Sequence, residues 1–214
     1  MKIYILLFAL IFTSCTTKLH RQTDRERDGF VGKVARVYIS TLFPTKGKCP
    51  IKSNTYDANG NLTKQKIYTN GCGDKFITTD YRISADGKRI STTEGTQQSK
   101  TIYNFDTSGR ISEETTSFNN AETLQVKYFF DEKGRIKEKI YTTNGTQYGK
   151  DVYEYVGENN APAKFTYTDS RNEKSVSIIY TNYEFNSEGD WVKREETDNG
   201  KLSFVERAIE YYED

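Results

Sequence analysis

Four groups of residues in this 214-residue chain have the types and spacing that chemistry uses. Asp57-Ala58-Asn59-Gly60-Asn61 sets oxygen donors at alternate positions, as a calcium loop does. The last position of a 12-residue loop starting there is Tyr68 rather than the required Glu, so these residues read as turn formers. Glu113-Glu114 and Glu195-Glu196 are carboxylate pairs of the kind that cleave glycosidic bonds, but neighbours on a strand point to opposite faces and cannot converge. Tyr103, Phe105, Tyr128, Phe130, Tyr153, Tyr155, Tyr183 and Phe185 alternate so as to share one face. With the only tryptophan, Trp191, they would form either the interior of a sheet or a stacking face for sugar rings or an extended peptide. Cys49 and Cys72 are the fourth group. Folding Lys52–Tyr56 back on Gly60–Lys64 brings Cys49 opposite residues 68–69, close enough to Cys72 for a disulfide contributing about 3 kcal/mol. The lone histidine, His20, lies in a polar stretch, and no Gly-x-Ser-x-Gly, phosphate loop or His-Glu-x-x-His occurs. These residues predict no enzyme, no cofactor and no metal.

The N-terminus reads as an address. Lys2 precedes an apolar run, Ile3–Phe12, of about ten residues, which suits a signal peptide and is too short to cross a bilayer. Phe12-Thr13-Ser14-Cys15 resembles the lipobox of bacterial lipoproteins, although Phe12 stands where Leu is usual. The resemblance implies a signal peptide over residues 1–15 ending at a lipidated Cys15, a membrane partner through that anchor, and an outer-membrane place in the bacterial envelope. Residues 16–29 are polar and aperiodic and predict a flexible tether to a domain over 30–214. The chain has 31 Lys and Arg against 30 Asp and Glu. A balance this even argues against nucleic acid as a partner.

What must position the rings is a repeat. Tyr56-Asp57 to Gly60, Tyr81 to Gly87, Phe105-Asp106 to Gly109-Arg110, Phe130-Asp131 to Gly134-Arg135 and Phe185-Asn186 to Gly189 are copies of one turn. A degenerate copy runs from Tyr153 to Pro162. Between them lie Asn70-Gly71, Glu94-Gly95, Asn119-Asn120, Asn144-Gly145, Arg171-Asn172 and Asn199-Gly200, which supply the positive φ of tight hairpins. Each repeat is therefore two strands, and helical periodicity is missing throughout. The fold predicted is all-β: an antiparallel meander of about fourteen short strands in a curled, open, β-solenoid-like repeat sheet. One extra residue after Gly87 predicts a β-bulge or a register adjustment there.

These turns resemble the YD repeats of the Rhs family, over nearly all of residues 50–214. The resemblance implies a spiralling antiparallel sheet and leaves open an accessory or immunity role in a toxin-related system. Closure into a barrel is not expected, because fourteen strands enclose a lumen wider than facing side chains fill. Residues 16–48 carry net +5 and residues 184–214 net −6, so the two ends could attract, closing the sheet on itself or stacking copies. The function expected is binding or scaffolding in the envelope, with an envelope protein or glycan as partner. It should lie where copies deviate: near Gly87, around Asn159–Pro162, and at Trp191.

Overall fold

The computed structural model describes residues 21–43, 47–69, 72–84, 89–93, 97–118, 122–158 and 160–213. Cys15, His20, Gly87 and several hairpin tips lie outside them. Fourteen strands follow a short helix, α1 (Asp24–Arg27). The first seven are β1 (Val34–Phe43), β2 (Gly47–Tyr56), β3 (Leu62–Tyr68), β4 (Phe76–Ile83), β5 (Arg89–Thr93), β6 (Gln97–Phe105) and β7 (Ile111–Phe118). The second seven are β8 (Glu122–Phe130), β9 (Ile136–Thr143), β10 (Thr146–Glu154), β11 (Lys164–Asp169), β12 (Lys174–Phe185), β13 (Trp191–Asp198) and β14 (Lys201–Tyr211). Each pairs antiparallel with its sequence neighbours.

The sheet closes, and the expected open, curled edge does not exist: β1 pairs with β14 from Val34↔Tyr211 to Leu42↔Phe204. Two physical reasons account for the correction. The first is the charge asymmetry of the ends, which meets itself at the seam: Arg36 lies 3.4 Å from Glu210 and Lys48 3.1 Å from Glu206. Exposed pairs of this kind contribute about 0–1 kcal/mol each, so they select the partner more than they hold it. The second is that side chains do not fill the lumen alone. Residues 22–32 enter it, which removes the objection from barrel width.

Four turns are built alike. In each, the Gly N–H donates to the Asp or Asn carbonyl, and the Asp or Asn N–H donates to the carbonyl just after Gly: Asp57/Asn61, Asp106/Arg110, Asp131/Arg135 and Asn186/Asp190. Gly60, Gly109, Gly134 and Gly189 have φ from +79° to +83°, which only glycine adopts freely. This geometry carries its own bulge, and the ladder slips at Thr55/Tyr56, Asn104/Phe105, Phe129/Phe130 and Glu184/Phe185. The β4–β5 pair runs evenly from Thr79↔Thr93 to Ile83↔Arg89. The irregularity expected just after Gly87 falls on residues 85–88, outside the described residues. At the other end, Asn144-Gly145 and Asn199-Gly200 have positive φ at both positions, the hairpin geometry that follows strand twist.

The faces divide as the alternation requires. Outward-facing ladder neighbours pair charges, including Lys64–Asp80 at 3.4 Å, Lys150–Glu138 at 2.7 Å and Lys193–Glu184 at 3.0 Å. The same wall also exposes large apolar side chains, among them Ile102, Phe129 and Ile179. Inside, one cluster joins Phe30, Val34, Val37, Tyr56 and Leu62, and a second joins Ile111, Val126 and Tyr128. Cys49 and Cys72 are disulfide-bonded with Cα atoms 4.4 Å apart, tying β2 to the loop after β3.

Candidate functional site

The stretch expected to be a flexible tether is, from Gln22 onward, packed. Thr23 caps α1: it accepts from the Glu26 N–H at 3.2 Å, and the Glu26 carboxylate accepts from the Thr23 N–H at 2.7 Å. This reciprocal box stabilises a helix too short to form alone. Gln22 crosses to the strand β7 turn, donating its N–H to the Gly109 carbonyl at 2.7 Å and accepting from Ile111 N–H through Oε1 at 3.1 Å. Asp24, 5% exposed, gathers the Leu62 N–H at 2.9 Å, Arg89 at 2.9 Å, Arg27 at 3.0 Å and the Tyr103 hydroxyl at 3.3 Å. Asp28 accepts from the Tyr56 hydroxyl at 2.5 Å and Asn54 at 3.1 Å. Asp190, in the place where two earlier copies have Arg110 and Arg135, accepts the Val31 N–H at 2.7 Å and the Tyr211 hydroxyl at 2.7 Å. The segment is therefore laced to both sides of the mouth formed by the Asp-Gly turns.

Arginines link consecutive copies. The Asp106 carboxylate holds the Arg110 guanidinium at 2.7 Å and Asp131 holds Arg135 at 2.7 Å. Each guanidinium then lies over the ring of the next copy, Arg110 over Phe130 and Arg135 over Tyr155, both at 4.3 Å. In the unit near Gly87 the residue at this position is a lysine, Lys88, which lies outside the described residues. Arg21 of the N-terminal segment lies over Phe105 at 4.9 Å.

The lumen keeps an open space beside Trp191. A cavity of about 600 Å³ runs along β9, β10, β12, β13 and β14 to the mouth beside the degenerate loop at Asn160–Pro162. Of the predicted ring face, Tyr153, Tyr155, Phe185 and Trp191 line it. Tyr128 and Tyr103 are instead packed with Phe105 and Phe130 in the second cluster, and Tyr183 stacks on Phe185 at 5.7 Å and meets Trp191 edge-on at 6.0 Å. The aromatic stripe is thus divided between core and cavity wall. Burial lifts the Tyr155 and Tyr180 hydroxyls to about 12, so both remain donors at neutral pH.

Four basic side chains, none of them singled out in the sequence, also line this cavity: Arg27, Lys139, Arg194 and Arg207. Arg27 is held by Asp24 and by Glu114 at 3.4 Å, and Arg194 by Glu196 at 2.5 Å. Glu114 and Glu196 point inward while Glu113 bonds Gln125 and Glu195 bonds Thr181 on the outer side, so neither adjacent pair converges. Arg207 lies 3.6 Å over Trp191 and 4.8 Å over Phe30. No carboxylate among the described residues lies within ion-pair distance of it, and its buried Nε–H has no acceptor. Burial, then the neighbouring Arg194 charge, pull its guanidinium down to about 9, still protonated at neutral pH. Lys139 stands 5.3 Å from Tyr153 and 5.6 Å from Tyr128, and burial lowers its ammonium despite Asp151 across the ladder. The signal that pointed here was positional: Trp191 and Asn159–Pro162 are two of the three deviant places in the repeat, although Asn159 itself is outside the described residues.

No protein-family model matches the sequence, and no curated protein matches it. Solved structures resemble the fold. A porin-like protein from Bacteroides uniformis superposes with a TM-score of 0.52 at 12% identity, covering 84% of this chain and 98% of that one. A porin-like protein from Bacteroides vulgatus gives 0.48 at 14% identity, with coverage of 84% and 98%. A chain of the Photorhabdus luminescens Tc holotoxin pore gives 0.33 at 13% identity, over 78% of this chain and 9% of that one. The first likeness is one of fold.

Proposed function

We propose that this chain is a binding module of the bacterial cell envelope, held at a membrane through lipid on Cys15, with no catalytic step of its own. Its ligand occupies the lumen cavity beside Trp191. The observation that carries the reading is that the sector of the lumen beside Trp191 is left open at about 600 Å³ and is walled by aromatic rings together with basic side chains. That is the size of small-ligand pockets, and its wall mixes ring faces with a few polar groups as such pockets do. The turn chemistry supports kinship with YD-type repeats: Asp and Gly build the turn and Arg ties it to the next copy. In this reading the repeats are scaffold and the deviant copy is the site.

A glycan array probed with the full chain tests it. Binding is expected, with at least a tenfold loss in Trp191→Ala, because that ring carries both Arg194 and Arg207. No binding to any glycan, or equal binding by the variant, would remove the cavity as the ligand site. The anchor is checked by fractionation: the chain should sediment with membranes and Cys15→Ser should not.

A further inference from the structure

The cavity's chemistry narrows what can occupy it. A closed barrel leaves no strand edge for an extended peptide to pair with. A single-stranded nucleic acid would need a continuous basic track, and the outer charges of this wall are paired across strands. A bare inorganic anion would fill a small part of about 600 Å³. A purely apolar ligand would leave Arg207 and Lys139 as buried cations, and an unpaired buried charge is costly.

Arg207 is the informative side chain. It is a guanidinium stacked on rings, without a carboxylate, at the wall of an open space. Arg27 and Arg194 in the same wall each have an acidic partner, so the protein supplies counter-charges where the fold needs them. Lys139 faces the same cavity, its nearest acid, Asp151, being engaged by the Tyr141 hydroxyl at 2.5 Å and the Tyr153 hydroxyl at 3.3 Å. Between the two cations stand the hydroxyls and ring faces of Tyr153 and Tyr180, with Asn160 at the mouth.

We infer that the cavity takes an acidic saccharide, a sugar ring bearing a carboxylate or phosphate whose charge is met by Arg207 and Lys139. The inference rests on the binding reading above and names its ligand class. The sugar's hydroxyls find donors and acceptors in the tyrosines and Asn160, and its apolar ring face finds theirs.

Calorimetric titration of the full chain with tri-galacturonate, glucose 6-phosphate and maltotriose tests it, the first two separating carboxylate from phosphate. At least one acidic sugar should bind tenfold or more tighter than maltotriose, and inorganic phosphate should compete. Arg207→Met should lose tenfold or more in affinity while its melting temperature stays level or rises, because a buried cation without an ion-pair partner is replaced by an apolar chain of similar length. A merely structural arginine would lower it. Lys139→Gln is the second variant, expected to weaken the same ligand about tenfold should Arg207→Met fold poorly. Tighter binding of maltotriose, lost in Trp191→Ala, would overturn the acidic ligand and leave the binding reading standing. Acidic-sugar affinity unchanged in both cation variants would overturn the assignment to this cavity. No binding of any sugar would overturn both.

Discussion

A single aspartate shows how much one side chain does in each copy. The Asp131 carboxylate accepts the Lys133 N–H at 3.0 Å, the Arg135 N–H at 2.9 Å and Arg135 Nε–H at 2.7 Å. Removing it frees two amides and releases the guanidinium from Tyr155. Asp131→Ala should cost about 1–2 kcal/mol, read from the urea midpoint at unchanged slope. Asp131→Asn should cost less, since Asn186 already accepts the matching amides at 3.1 and 3.0 Å. Asp106 and Asp131 are held below the usual carboxylate range: what burial there is acts to raise them, and the amide and guanidinium bonds from Arg110 and Arg135 outweigh it. A folded value below the unfolded one means their contribution is full above about pH 4 and is lost as pH falls through the folded values. Unfolding midpoints of Asp106→Asn/Asp131→Asn should therefore fall less steeply with acid than those of the parent. Parallel curves would exclude these carboxylates as the source.

Turns of the same type differ in what they touch. Gly60 and Gly189 share a φ of +83°, but a Cβ on Gly60 would meet Thr23 Oγ1 at 2.8 Å whereas one on Gly189 meets nothing within 4 Å. Gly189→Ala should lose about 1–2 kcal/mol from the left-handed backbone alone. Gly60→Ala should lose that and dislodge the cap of α1, giving the larger drop in melting temperature. Equal drops would argue against docking of that helix at β3. The turns, the hairpins and the two faces were legible because Asp-x-x-Gly, Asn-Gly and alternate rings each encode a local geometry. The segment around α1 was not. Four residues are too few to show helical periodicity, and its polar side chains look solvated until their partners arrive from distant strands. Thr23-x-x-Glu26, a capping box, was the one readable sign. The cavity cations were hidden for a related reason: Lys139, Arg194 and Arg207 sit in strands where surface basic residues are equally common, and only closure turns them inward.

Closure is a property of the whole chain, and no local pattern states it. It depends on strand count, on end charges that find each other across the seam, and on a segment that makes a wide lumen affordable. Asp24 is where those terms meet, bridging β3, β5 and β6 from inside. Asp24→Ala would leave Arg89 buried without its carboxylate, which should cost about 3–5 kcal/mol. It should also expose the Leu62 and Ile111 amides to hydrogen exchange. Retained protection at both would show that the lumen segment is not what holds the mouth. Because Val34 must find Tyr211 at the far end of the chain, this barrel should fold slowly for its size.

The threading of residues 22–32 also sets how the molecule stands. Gln22 is already fixed to Gly109, only seven residues beyond Cys15, and so few residues reach at most about 25 Å fully extended. With lipid on Cys15 as proposed, the barrel is moored on a short line. Its turn-lined mouth, and the cavity opening there, would face the headgroups, while the Asn-Gly hairpins point away. Whatever enters would approach along the membrane plane.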